Sequence, residues 1–384
     1  MPGELVSQRV SPLEPVHRAL GASFTDFGGW EMPVRYGSDL AEHQAVRERA
    51  GIFDISHMAE FAVGGLDAGA FLDYALAGKV STLPLSKAKY SMILAADGGI
   101  LDDLIVYKNH PAEFLVVANA GNRDVVAAAL AERAAGFDVH VTDRTDEIAL
   151  IAVQGPRALE ILESTEGLHA DELLAMGHTL ESLPYYACMG MLYEGAAILV
   201  ARTGYTGEDG FELYVDRRDA VNLWNALTAA GEAFGLAPAG LAARDTLRLE
   251  AGMPLYGHEL GTGILPVQAG LGRIVPLATK GDFVGRAGIE AGPAEGARVL
   301  VGLAAEGRRA ARAGYAVFAE GAAADAEPVG EVTSGALSPT LGHPIAMAFV
   351  APESAEPGTA LELDVRGTRI PAHVVALPFY SRAK

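Results

Sequence analysis

The chain has 384 residues, and its 49 Asp+Glu against 29 Lys+Arg give a net charge of −20. That length exceeds what one hydrophobic core usually organises, so two or three domains are expected, and a composition half apolar and one-fifth charged excludes disordered and fibrous classes. The acidic excess argues against a nucleic-acid partner, since phosphate binding relies on basic surface, and a single cysteine, Cys188, excludes an internal disulfide or a cysteine zinc cluster.

No apolar run approaches the length needed to cross a bilayer; the longest, near Ile148–Val153 and Ala196–Ala201, are strand-sized. The N-terminus carries Glu4 and no apolar stretch before a small-residue cleavage site, so it reads as neither a signal nor a transit peptide. A cytoplasmic protein without membrane contact is expected.

Helical patterns cover Pro12–Leu20 and Leu40–Arg49, with a loop at Gly28–Pro33 between them. From Ala59 to about Val141, short strands alternate with helices at Ala68–Ala77 and Asn122–Ala135, which suggests an α+β domain. A second such unit holds strand Ile148–Val153, a helix opening at Pro156, strands Ala196–Ala201 and Phe211–Val215, and a helix at Arg218–Ala233. Proline in a first helical turn forfeits no hydrogen bond, which suits Pro156. The next helix should run from Pro238 to Ala251, with Gly252 just past its end. After about Lys280, short apolar runs at Val299–Leu303, Tyr315–Phe318, Ile345–Val350, Ala360–Val365 and Ile370–Ala376 favour an all-β C-terminal domain. The Ala/Glu-rich Glu320–Glu327 reads as a hairpin tip.

Several chemistries are excluded by inspection. There is no phosphate loop ending in Gly-Lys-Ser/Thr, no complete dinucleotide fingerprint, no Gly-x-Ser-x-Gly elbow and no His-x-x-x-His pair. Cys188, between Ala187 and Met189, has an apolar setting that raises a thiol pKa and makes it a small core residue.

What remains is a set of carboxylates, tyrosines and arginines in turn-rich contexts. Tyr90 to Tyr107 reads as a hairpin around Asp97-Gly98-Gly99. Alternation puts Asp103, Ile105 and Tyr107 on one face and Asp102, Leu104 and Val106 on the other. An even-numbered loop then sets Tyr90 and Met92 on the Asp103 face. Locally, an Asp beside a turn is ordinary, so a site and a plain strand start both stay open. After the Gly-rich turn Arg202–Gly210, Phe211, Leu213 and Val215 face one way, with Glu212 and Tyr214 the other. Glu212 alone suits a solvated strand face. Arg244 and Arg248, four apart, share a helix face; alone they suit a solvated surface, although like charges at that spacing repel mildly and invite an anionic partner. Arg308, Arg309 and Arg312 form a basic cluster that, alone, reads as a solvated loop edge.

Five motifs in order resemble the folate-binding T-protein family, the aminomethyltransferases of the glycine cleavage system: Phe27–Pro33, Phe53–Met58, the Gly98–Val106 hairpin, Arg202–Glu212 and Thr333–Gly342. The resemblance spans roughly Phe27 to Tyr380. It implies an α+β three-domain cloverleaf: two α+β domains with antiparallel sheets around a central folate cavity, plus a C-terminal all-β domain. The expected boundaries are 1–58 with 142–278, 59–141 carrying the Asp103 hairpin, and 279–384. The implied reaction takes the one-carbon unit from an aminomethyl-dihydrolipoyl H-protein to tetrahydrofolate. It releases ammonia and gives 5,10-methylenetetrahydrofolate, with no metal, and the lipoylated H-protein binds only transiently.

Carried over residue by residue, the family's catalytic carboxylate falls on Asp103, and its folate-binding positions on Met58, Tyr90, Tyr107, Asn119, Tyr186, Tyr205, Glu212, Arg244 and Tyr380. Within that set Glu212 would hold the pterin and Arg244 the glutamate tail. Many relatives have Trp where this chain has Arg273, a departure that bears on how the channel is lined. The alternatives share the fold: a folate-dependent demethylase, or a non-catalytic folate-binding protein of the tRNA-modification or iron–sulfur type. The latter carry a cysteine in the motif that reads Arg202-Thr203-Gly204-Tyr205 here, where there is none. The folate domain of sarcosine or dimethylglycine dehydrogenases would follow a large flavin domain, for which this chain has neither fingerprint nor length.

Overall fold

The computed structural model describes residues 8–382; Glu4 and the first seven residues of the expected 1–58 segment lie outside the described residues. The fold is α+β, built on a five-stranded sheet, a seven-stranded sheet and a closed six-stranded barrel, with a small three-stranded sheet at the N-terminus.

The segment read as a loop at Gly28–Pro33 is instead the turn and second strand of a hairpin, Ser23–Phe27 paired with Trp30–Arg35. Gly28 and Gly29 take φ of 61° and 84° in succession, a turn whose twist matches the flanking strands and which residues with a Cβ enter only at a cost. A Cβ on Gly28 would also stand 2.9 Å from Gly121 N, so this turn lies directly against the backbone after Ala118.

The five-stranded antiparallel sheet runs Lys87–Leu94, Ile100–His110, Glu113–Ala118, Ala59–Gly64, His140–Asp143. Helices Ala68–Ala75 and Arg123–Arg133 cover one face, burying Phe61, Phe71, Leu104, Val106, Val116 and Leu130. The seven-stranded sheet runs Leu168–Ala170, Cys188–Tyr193, Ala196–Ala201, Gly210–Asp216, Ile148–Gln154, Ala50–Asp54, Leu236–Pro238. Its outer face packs on helices Ala158–Glu163 and Ala220–Gly231 around Trp224, Phe211 and Leu213. The inner faces of the two sheets meet in one core, where Tyr107, Leu115 and Val117 from one sheet pack against Phe53, Leu150 and Tyr214 from the other. Of the residues singled out in the sequence, Tyr90, Asp103, Tyr107 and Glu212 lie on strands of these two sheets.

Two helix starts differ from the sequence reading. Pro156 and Arg157 form a turn, and the helix begins at Ala158. Pro238 ends the parallel edge strand, where a missing N–H is tolerated, and the helix starts at Leu241. Gly252, with φ of 65°, follows that helix as expected.

The barrel closes in the order Val299–Ala305, Pro344–Val350, Gly330–Leu337, Ala316–Ala319, Ala360–Val365, Thr368–Val375. Gly330–Leu337 has no expected counterpart: its Gly, Ser and Thr residues hide the strand alternation. A helix, Arg286–Ala291, precedes the barrel, in a stretch expected to be all-β. No helix among the described residues is long and apolar enough to cross a membrane.

Candidate functional site

The Asp102–Asp103 strand shows how local register selects one carboxylate. The pairing Met92↔Asp103 and Tyr90↔Ile105 is as expected, but it is reached differently. The connection Ala95–Gly99 is odd-numbered, Leu94 pairs with Ile100, and the next pair is Ile93 with Asp102. Leu101 is therefore the extra residue of a bulge. Without it, Asp102 would stand opposite Met92 and turn toward the cavity in place of Asp103.

Asp103 lines a cavity of about 250 Å³ between the two sheets, together with Met58, Tyr90, Asn119, Tyr186, Tyr205, Glu212 and Arg244. A second chamber of about 400 Å³ adjoins it, sharing Met58, Asn119, Tyr205 and Arg244, and opens past Phe27, Asp245, Arg248 and His258. Eight of the ten residues singled out in the sequence thus converge on one continuous space. Tyr107 is fully buried beneath it, and its hydroxyl lies 3.0 Å from Thr203 Oγ1 and 3.3 Å from Glu212 Oε2. Tyr380 is not among the lining residues: its ring lies under the Arg47 guanidinium, 4.1 Å away, and its N–H donates to Glu250 O at 2.8 Å.

Each polar group has an identifiable set of partners. Asp103 Oδ2 accepts the Tyr90 hydroxyl at 3.0 Å and Oδ1 accepts Asn119 Nδ2 at 2.8 Å. Burial raises the pKa of Asp103, and the Tyr90 and Asn119 hydrogen bonds and the Arg244 charge pull against that rise. Glu212, far from being a solvated strand-face residue, is buried, with its Oε2 held by Thr203 and Tyr107. Its Oε1 accepts nothing from the described residues. Burial raises its pKa as well, offset by Thr203, Arg244 and Tyr107.

The Arg244 guanidinium makes no hydrogen bond to the described residues, and its Nη1 is buried without a partner. Its guanidinium sits 5.2 Å from the Tyr205 ring centroid, and burial lowers its pKa. The expected pairing of Arg244 with Arg248 as a joint anion trap does not hold. Arg248 is already committed to Asp245 (2.8 Å), Glu259 (3.0 Å) and Ser334 (2.8 Å). A sequence reading cannot see those partners, because Glu259 and Ser334 lie in other elements. Arg244 alone keeps free donor capacity.

Tyr186 reaches the cavity from a backbone φ of 58°, uncommon for a residue with a Cβ. Its N–H donates to Arg202 O (3.0 Å) and its carbonyl accepts Ala88 N–H (2.9 Å), so bonds to both sheets hold that conformation. Cys188 is buried two residues beyond, its thiol pushed up to about 12 by burial, in line with a core role. His57 is fully buried with neither ring nitrogen paired and is held neutral, pushed down to about 3 by burial and the Arg244 charge. Among the described residues, no group of three His, Cys, Asp or Glu side chains could hold a metal ion.

The remaining motif, Thr333–Gly342, joins the barrel to the rest. Ser338 Oγ and Thr340 N–H donate to Glu250 Oε1, while Arg47 and Thr340 Oγ1 donate to its Oε2. Motifs remote in sequence therefore meet around one helix, Leu241–Glu250, which carries Arg244 on its cavity side.

The family model described as the GCVT N-terminal domain matches residues 13–279, and that described as the glycine cleavage T-protein C-terminal barrel domain matches residues 298–381. The chain belongs to the glycine cleavage T-protein family. It is similar to a Streptomyces coelicolor protein named aminomethyltransferase, 56% identical over 98% of each chain. A Cutibacterium acnes protein of the same name is 54% identical, over 99% of this chain and all of that one. Among solved structures, the glycine cleavage system aminomethyltransferase T from Bartonella henselae superposes with a TM-score of 0.86 at 35% identity, covering 97% of this chain and 98% of that one. Arg273 is exposed, two residues after Leu271, which lines the smaller chamber.

Proposed function

We propose that this aminomethyltransferase binds tetrahydrofolate in the joined chambers and accepts the aminomethyl group from the lipoyl arm of an H-protein, in the cytoplasm. The observation that carries the reading is the distribution of unused polar capacity. Glu212 Oε1 accepts no hydrogen bond from the described residues and Arg244 Nη1 is buried without a partner, and both residues line one cavity that also contains Asp103. A pterin edge offers N–H donors that a carboxylate accepts, and a planar guanidinium matches a glutamate carboxylate. Tyr90, Tyr186 and Tyr205 provide flat apolar walls for a ring system.

Tetrahydrofolate supplies the nitrogen nucleophiles that take up the carbon. The chain's own residues orient it, exclude water and manage the proton. Asp103, buried and held by Tyr90 and Asn119, is fixed in position to accept a proton from the reacting amine and to stabilise developing positive charge. Burial raises its pKa, which makes it a stronger base than a solvated carboxylate. The second chamber gives a carrier arm a separate way in. We read the chain as three units, 1–58 with 142–278, 59–141, and 279–384, because the seven-stranded sheet, the five-stranded sheet and the barrel draw their strands from those segments, except that strand His140–Asp143 of the five-stranded sheet runs two residues past 141.

The test is ammonia release on mixing the protein with aminomethylated H-protein and tetrahydrofolate. Release that requires both components is expected. Folate-independent release would overturn the folate reading of the cavity, and no ammonia release together with transfer of a methyl group from another donor to tetrahydrofolate would favour the demethylase reading.

A further inference from the structure

Asp102 lines neither chamber, yet it fixes the orientation of a side chain that lines both. It is fully buried, and its carboxylate accepts three N–H donors: Asn119 N at 2.9 Å, Asn119 Nδ2 at 2.8 Å and Asn122 Nδ2 at 2.7 Å. The same Asn119 nitrogen donates to Asp103 Oδ1 at 2.8 Å. That nitrogen also donates to Asp103 O at 3.1 Å, so its two hydrogens are spent among the two carboxylates and that carbonyl. The amide oxygen of Asn119 accepts nothing from the described residues, and Asn119 is part of both chamber walls. The flipped amide would set oxygen against two carboxylates, so the pair of aspartates admits one orientation.

We infer that Asp102 is a positioning residue: it locks Asn119 so that one amide hydrogen clamps Asp103 and the amide oxygen faces the cavity as an acceptor. This rests on the folate reading of the cavity. The arrangement is held at a cost, since burial and the adjacent Asp103 charge push Asp102 up to about 7. A neutral Asn at 102 would remove that cost, but it would offer its own donors and permit the Asn119 amide to turn. Asp103 would then lose its clamp and the cavity its acceptor. The sequence gives no hint of this, because alternation points the two aspartates to opposite faces and Asn119 reaches around the strand edge to touch both.

The experiment is a double-mutant cycle on the full chain with Asp102→Asn, Asn119→Ala and the double variant. It reads kcat and KM with aminomethylated H-protein, and tetrahydrofolate affinity by calorimetry. Asp102→Asn is expected to lower kcat by roughly 10- to 100-fold, and to cost less than about 2-fold more once Asn119 is already Ala. Equal fold-losses in both backgrounds would mean that Asp102 acts independently of Asn119, or only through the general fold, and would overturn the inference. Should Asp102→Asn not fold, Asn122→Ala strips one donor from Asp102 and answers the same question. A loss of about 3-fold that vanishes in the Asn119→Ala background supports the inference, and a loss that persists there overturns it. A wild-type protein without tetrahydrofolate-dependent ammonia release would sink the proposed function itself, whereas an active wild type with an additive cycle sinks only the role of Asp102.

Discussion

The Tyr90 hydroxyl donates to Asp103 Oδ2 at 3.0 Å across a diagonal of the hairpin, from the residue two places before Asp103's direct partner Met92. This bond favours the ionised carboxylate, against the burial that raises its pKa.

Tyr90→Phe should therefore raise the Asp103 pKa further. If Asp103 must be ionised to take a proton, the acid limb of the kcat–pH profile moves to higher pH in the variant. Asp103→Asn should abolish most turnover while tetrahydrofolate still binds, since Glu212 and Arg244 are untouched. A Tyr90→Phe limb that stays in place or moves to lower pH contradicts this assignment of the base.

How far the sequence carried this site follows from these residues. Strand alternation sets Asp103 with Tyr107, and Glu212 with Tyr214, because both relations are local and have period two, whereas Tyr90 joins that face only through the hairpin register. The bulge at Leu101 was invisible, although the outcome depends on it, since nothing in Gly99–Asp102 marks which residue is extra. The commitment of Arg248 and the freedom of Arg244 were equally out of reach, because they turn on residues brought up by the fold from Glu259 and Ser334. The barrel strand Gly330–Leu337 escaped for a composition reason: strand propensity is weak where Gly and Ser replace branched side chains.

Arg244→Ala should weaken tetrahydrofolate binding by about 1.5–3 kcal/mol, the scale of a charge-assisted hydrogen bond. The unliganded protein should lose little stability, because the guanidinium has no hydrogen bond to forfeit and its unfavourable burial offsets the charge it offers to Asp103 and Glu212. Calorimetry and thermal melts separate the two. Unchanged affinity with a lowered Tm would make Arg244 structural.

Glu250 should govern acid stability. Burial opposes its charge, but hydrogen bonds from His43, Ser338 and Thr340 outweigh burial and hold it at about 2, below the ordinary 4.5. A lowered carboxylate pKa stabilises the fold fully above 4.5 and progressively less as pH falls toward 2. The difference corresponds to on the order of 3 kcal/mol at neutral pH. The Tm gap between wild type and Glu250→Gln should thus be widest near pH 7 and shrink below pH 4.5. A gap that does not change with pH would show that Glu250 acts by shape alone.

The carrier's docking side is the last case. Arg308 and Arg309 are exposed on the loop after barrel strand Val299–Ala305, and Arg312 in the same loop donates to Gly335 O at 3.0 Å. Gly335 follows Ser334 and Thr333, which bond Arg248 and His258 at the rim of the larger chamber. The basic cluster is thereby tied to the chamber through which a carrier arm would enter, on a chain whose net charge is −20. An acidic carrier, repelled by the whole, would be steered by this patch, and rim charges act chiefly on association rate. Reversing Arg308 and Arg309 to Glu should raise KM for aminomethylated H-protein several-fold, with tetrahydrofolate affinity unchanged. Arg312 is left intact because its bond to Gly335 supports the barrel. The wild-type KM should also climb with ionic strength, as screening shortens the reach of the patch. A salt-independent KM, or a double reversal without effect on the carrier, would return these arginines to an ordinary solvated loop.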